Sequence, residues 1–93
     1  MINFKLGQLV MTRGVNDLVA ENLLFADFII TSLARHMRGD WGDLSKEDKT
    51  ENELSLKADF RILSSYKSGE LPRIWICTEA DRSATTILFP DEY

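Results

Sequence analysis

Ninety-three residues, 44% hydrophobic and 28% charged, suffice for one domain with a modest core and leave no room for a second. The formal charge of −4 disfavours non-specific nucleic-acid binding, which needs Lys and Arg to displace phosphate counterions. The longest apolar stretch, around Leu23 to Ile30, is broken by Asp27 and falls well short of the ~20 residues of a membrane span.

Residues 4–12, FKLGQLVMT, alternate loosely and include Val and Thr, which predicts a short first strand weakened or bulged at Gly7. Arg13-Gly14 reads as a turn, after which Asn16 or Asp17 caps a helix that pauses near Asn22. From Leu23 to Met37 the residues Phe25, Phe28, Ile29, Ser32, Leu33 and His36 recur at helical spacing. Leu24, Ile30 and Ala34 widen that stripe, so this is expected to be the best-buried helix, stopped at Gly39. Ser45 is placed to cap another helix running to about Ala58, with Asp48 in the capping-box position. From Phe60 the period changes to two: FRILSSYK, RIWICTEA and TTILFPDE are β-type segments separated by turns at 67–70 and 80–83. The expected fold is α+β, with two or three helices packed on one face of a three- to four-stranded antiparallel sheet that ends in a C-terminal β-meander, residues 1–93 forming a single domain.

The stretch RHMRGDWGDLSKEDKTENE, residues 35–53, holds the chain's one histidine, one of its two tryptophans and many carboxylates. His36 near Asp40 and Asp43 has the makings of a general base. Its position on the apolar stripe favours a buried structural histidine, with Asp40 or a backbone carbonyl holding one ring nitrogen. Asp40, Asp43 and Asp48 are of the type that holds Mg²⁺, yet their spacing fits no calcium loop. The glycines on either side of Trp41 suit a tight interhelical turn with Trp41 as its plug, and no metal site is expected. Read as a joint, the block should have Asp40 or Asp43 capping the following helix. Asp48 or Asn52 should bond the backbone of residues 39–45, or Arg61 or Arg82, so that Asp48→Ala costs ~1–3 kcal/mol.

At the other end, TEADRSATT (78–86) gathers polar side chains at one hairpin tip, where Arg82 is suited to grip a carboxylate or phosphate. Its bland alternative is a polar turn in which Asp81 and Ser83 satisfy backbone groups. The binding candidates are thus Trp41, Asp43, Glu79, Asp81 and Arg82, and the one assemblable catalytic set is His36, Asp40, Asp48, Asn52 and Arg82. Cys77, alone in the apolar IWICTE, reads as a packed hydrophobe, and one cysteine with one histidine makes no disulfide or Cys/His metal site. No cofactor is expected.

Three stretches, RHMRGDWGDL, NELSLKADFRILSSY and IWICTEADRSATTILFPDEY, resemble a group of small plasmid-related hypothetical proteins carried on bacterial plasmids and integrative elements. The resemblance runs from about Gly7 to Tyr93, and its distinctive parts are the Arg/His–GDWGDL block and the TEADRS ending, here with Cys77 in place of an isoleucine. It implies a mobile-element setting and assigns no activity, cofactor or catalytic residue.

Residues 39–59 carry seven acidic and three basic side chains, which suits a basic protein partner. The start MINFKLGQLVMTRG has no secretory pattern, so a cytoplasmic location is expected. The expected function is a small cytoplasmic interaction or regulatory protein of a mobile element, with a protein partner and without direct nucleic-acid or membrane binding. The alternatives are a small enzyme on the catalytic set above and an acidic, anti-restriction-type mimic of nucleic acid.

Overall fold

Where apolar side chains recur every second residue the chain is extended, and where they recur every third or fourth it is helical. In the computed structural model, which describes residues 4–93, the order is β1 (Gln8–Met11), α1 (Arg13–Glu21), α2 (Leu23–Met37), α3 (Lys46–Ala58), β2 (Ile62–Tyr66), β3 (Ile74–Thr78) and β4 (Ala84–Leu88). A 3-10 turn over Pro90–Glu92 follows. No helix among the described residues is long and apolar enough to cross a membrane.

The four strands form one sheet in the order β1-β4-β3-β2. The β2–β3 and β3–β4 pairs are antiparallel, as expected of a meander, but β1 runs parallel to β4, with Gln8 opposite Ala84. The sheet is therefore mixed, which corrects the expectation of a purely antiparallel one. The helices return the chain to start β2 in the direction of β1, and two reversals through the meander leave β4 pointing that way again.

One face of the sheet presents Ile62, Ser64, Tyr66, Ile74, Ile76, Thr78, Thr85 and Ile87, all with no exposed surface. Phe25 and Ile29 of α2 and Val15 of α1 complete this core, with Phe28 and Leu33 packed around it. The stripe of α2 is narrower than expected: Leu24 and Ile30 are 73% and 68% exposed, and Ala34 is exposed too. The sides of α2 turned to the sheet and to α1 are covered, and among the described residues no element lies over its back. The third helix behaves differently, lying along the β2 edge and burying only Asn52 and Ser55.

Local chemistry sets the boundaries. Asn22 ends α1 and caps α2, its side chain accepting from the Phe25 N–H at 3.1 Å. Ser45 caps α3 through the Asp48 N–H at 3.1 Å. For α1 the expected caps Asn16 and Asp17 lie inside the helix, which starts at Arg13 with Thr12 before it. One of its free N–H groups is met from the far end of the chain: the Glu92 carboxylate accepts the Gly14 N–H at 3.2 Å, and it is held there by the Thr12 hydroxyl at 2.6 Å and the Phe89 N–H at 2.8 Å. Gly7 immediately precedes β1 at φ 67°, where an added Cβ would lie 2.3 Å from the Ser83 carbonyl oxygen.

Candidate functional site

The buried stripe of α2 carries His36 into the core, fully enclosed, with Phe4 and Trp41 edge-on to its ring at centroid distances of 5.3 and 5.7 Å. Nδ1 lies 2.5 Å from the Ser64 hydroxyl and Nε2 2.9 Å from the Thr78 hydroxyl. The Thr78 and Thr85 hydroxyls are 2.8 Å apart, and Thr85 donates to the Leu6 carbonyl at 2.8 Å. That carbonyl only accepts, so every proton in the chain is assigned: Thr78 donates to Thr85, Nε2–H donates to Thr78, and Ser64 donates to Nδ1. Burial pushes the imidazole down to about 3, so the ring is neutral. Neither Asp40 nor a backbone carbonyl holds it, as had been expected; two hydroxyls do.

Asp40 instead forms a two-point ion pair with Arg35, at 2.7 and 3.1 Å, and accepts the Gly42 N–H at 3.3 Å. The guanidinium holds this carboxyl below the usual range, while Arg35 itself lies 4.9 Å from the ring centroid of Tyr66. Asp43 pairs with Arg73 at 3.3 Å. The GDWGD turn joins the sheet: Ser65 N–H donates to the Trp41 carbonyl at 3.2 Å, and Asp43 N–H donates to the Ser65 carbonyl at 2.7 Å. Trp41 is the plug anticipated, 3% exposed, with its indole N–H on Glu53 at 2.6 Å. Glu53 carried no sequence signal for this role beyond being one acid among many on α3.

Asn52 closes the same strand edge one step along, donating to the Leu63 carbonyl at 2.6 Å and accepting the Leu63 N–H at 3.3 Å. Three expectations are thereby corrected. Ser45, not Asp40 or Asp43, caps α3; Asn52 bonds Leu63 rather than residues 39–45 or an arginine; and the Asp48 side chain is exposed without a hydrogen-bond partner among the described residues, so its removal orphans nothing. Among the described residues no three His, Cys, Asp or Glu side chains converge as metal ligands.

At the hairpin tip Arg82 adopts φ 61° and donates to the carbonyls of Phe60 at 2.8 Å, Glu79 at 3.1 Å, Ala80 at 3.0 Å and Ser55 at 3.0 Å. Its donors tie the tip to the end of α3 instead of gripping a carboxylate or phosphate. Glu79 pairs with Arg61 at 3.1 Å, and Asp81 accepts the Ser83 N–H at 3.0 Å, as a polar turn requires. Cys77 is buried, which pushes its thiol up. The structure thus gathers Asp40, Trp41, Asp43 and Asn52 along the β2 edge, seals His36 in the core behind them, groups Glu79, Asp81 and Arg82 at the β3–β4 tip, and leaves Asp48 apart.

One feature lies outside every residue proposed from the sequence as catalytic or binding: a surface groove of about 620 Å³ between α1 and the segments flanking β3 and β4. Leu18, Pro72, Phe89 and Pro90 supply an apolar lining, and Asp17, Glu21 and Asp91 add carboxylates. Asp17 and Glu21 are one helical turn apart on the same side of α1. The one cation lining the groove, Arg73, is engaged by Ser65 at 2.8 Å and Asp43 at 3.3 Å. The spacing of Asp17 and Glu21 was readable beforehand, but their meeting with Phe89 and Asp91 depends on tertiary structure. Comparison with protein families, curated proteins and solved structures finds no match to this chain.

Proposed function

We propose that this chain is a small cytoplasmic interaction protein of a mobile element, which holds a basic, partly apolar segment of a protein partner in the groove beside α1. The observation that carries the reading is the composition of that groove: apolar walls with three carboxylates and a single arginine already engaged by Ser65 and Asp43. A Lys or Arg side chain matches such a surface twice over, laying its methylene stem on Leu18 and Phe89 and its charge on Asp17, Glu21 or Asp91. The chain's net charge of −4 adds long-range attraction for a basic partner. The mobile-element setting rests on the resemblance of the GDWGDL and TEADRS stretches.

The test is a fluorescence-anisotropy titration with a labelled peptide alternating Lys or Arg with Leu, against the wild type and the Asp17→Lys/Glu21→Lys variant. Saturable binding that weakens with salt and falls at least about tenfold on charge reversal is expected, since two opposed contacts become repulsive. Equal binding by both proteins, or none by the wild type, rejects the reading.

A further inference from the structure

The two edges of the sheet are finished differently. On β2 the outward backbone groups of Leu63 and Ser65 are met by Asn52 and by the Trp41–Asp43 bridge. On β1, the N–H groups of Gln8 and Thr12 turn inward to the Ser83 and Ile87 carbonyls at 2.9 and 3.0 Å. The alternate residues Leu9 and Met11 therefore turn their N–H and C=O groups outward, where no partner meets them among the described residues. Edge strands are ordinarily blunted by a charge, a proline, a bulge or a covering segment. Residues 6–12, LGQLVMT, contain no charge and no proline. Leu9 and Val10 are 48% and 38% exposed.

We infer that a second copy of this chain pairs with the β1 edge, antiparallel and about a two-fold axis, so that the two four-stranded sheets become one. Gly7, at φ 67°, and the start of α1 at Arg13 leave only Leu9 and Met11 with outward groups, and this sets the register. Leu9 faces Met11 of the second copy and Met11 faces its Leu9, each pair exchanging two N–H···O=C bonds, with the two Val10 residues opposed across the axis as a non-hydrogen-bonded pair. The register keeps the pleat. Leu9 and Met11 share the helical face with Thr85 and Ile87, and Val10 shares the other with Thr86.

Charge opposes a second copy least at this edge. Each chain carries −4 overall, yet the stretch that meets its twin is uncharged, whereas the β2 edge lies beside the acid-rich α3. The surroundings extend the contact. Arg35, stacked on Tyr66 of β2, shows which flank of α2 is turned to β2, and helical spacing puts Ile30 and Leu33 on the opposite flank. Ile30 is 68% exposed, so the flank of α2 turned away from β2 offers an apolar side chain that the single chain leaves open to water.

The test is sedimentation velocity over a concentration series reaching about 500 µM, because a contact this small belongs to the weak class of interfaces. The wild type should move from one to two chains as concentration rises. Leu9→Pro removes an outward N–H while sparing the bonds to β4, and Leu9→Lys adds a charge to the edge; both should stay monomeric with the circular dichroism of the wild type. In a Cys77→Ser background, Val10→Cys should form an intermolecular disulfide on mild oxidation, and Asp81→Cys, at the hairpin tip, should not. A wild type monomeric throughout, dimerisation unchanged in both folded Leu9 variants, or a dimer that Val10→Cys fails to crosslink overturns the inference.

Discussion

Protonating His36 places a second proton on Nδ1, the atom at which the Ser64 hydroxyl already directs its own. Both ring nitrogens are committed in the neutral state and water cannot reach either. An unfolded imidazole takes up a proton below about 6.5, whereas the folded one resists until about 3. Between those limits the unfolded chain binds more protons, so stability is unaffected by this group above about 6.5 and declines as pH falls towards 3, at up to about 1.4 kcal/mol per unit. Thermal melts of the wild type should show that decline. His36→Asn should lose about 1–3 kcal/mol at pH 7.5 by orphaning a hydroxyl partner, and its melting temperature should change less across the acid window. Asn52→Ala should cost a similar ~1–3 kcal/mol, because it strips both outward backbone groups of Leu63, while the exposed Asp48→Ala should stay within about 0.5 kcal/mol; chemical denaturation measures both. Burial of His36 was legible from its place on the apolar stripe. Its partners were not, since Ser64 and Thr78 are distant in sequence and carry no local mark of the role. Likewise, helical spacing puts Asp48 and Asn52 on one side of α3 without saying which of them meets the strand.

At the level of elements, what could be read depended on the reach of each signal. Ser45 with Asp48 three residues on is a local pattern, and the α3 boundary follows it closely. The cap of α1 comes from Glu92, 80 positions from Thr12, and no local rule finds it. Glu92→Ala should therefore lower stability by about 1 kcal/mol, the usual effect of losing an N-terminal cap, and amide exchange should quicken over the first turn of α1. The width of the α2 stripe was overread because periodicity counts apolar positions and not the layers available to cover them. The turn before α3 is more constrained than its two glycines advertise: an added Cβ at Gly42 would lie 2.0 Å from the Ser65 carbonyl oxygen, with φ 73° strained besides. Gly42→Ala should lift residues 41–43 off β2, lowering the melting temperature and red-shifting the fluorescence of the newly wetted Trp41.

For the molecule as a whole, the three-strand meander was visible in the change of period at Phe60, but the direction of β1 was not, because it depends on how many times the chain reverses before β4 arrives. That parallel pairing joins the two ends of the described chain, as the Thr85–Leu6 hydrogen bond across 79 positions illustrates. Contacts so remote are slow to form, whereas β2, β3 and β4 meet through short turns. In refolding followed by pulsed amide labelling, the β3–β4 ladder should be protected before the Val10 amide, and the reverse order would contradict this topology. The same arrangement governs the chain on the ribosome. Synthesis delivers Leu9 and Val10 more than sixty residues before β4, the strand with which they pair, so this apolar segment emerges before its template exists. Until β4 has been made, the backbone groups of β1 have no strand to meet and stay open to pairing with neighbouring nascent chains.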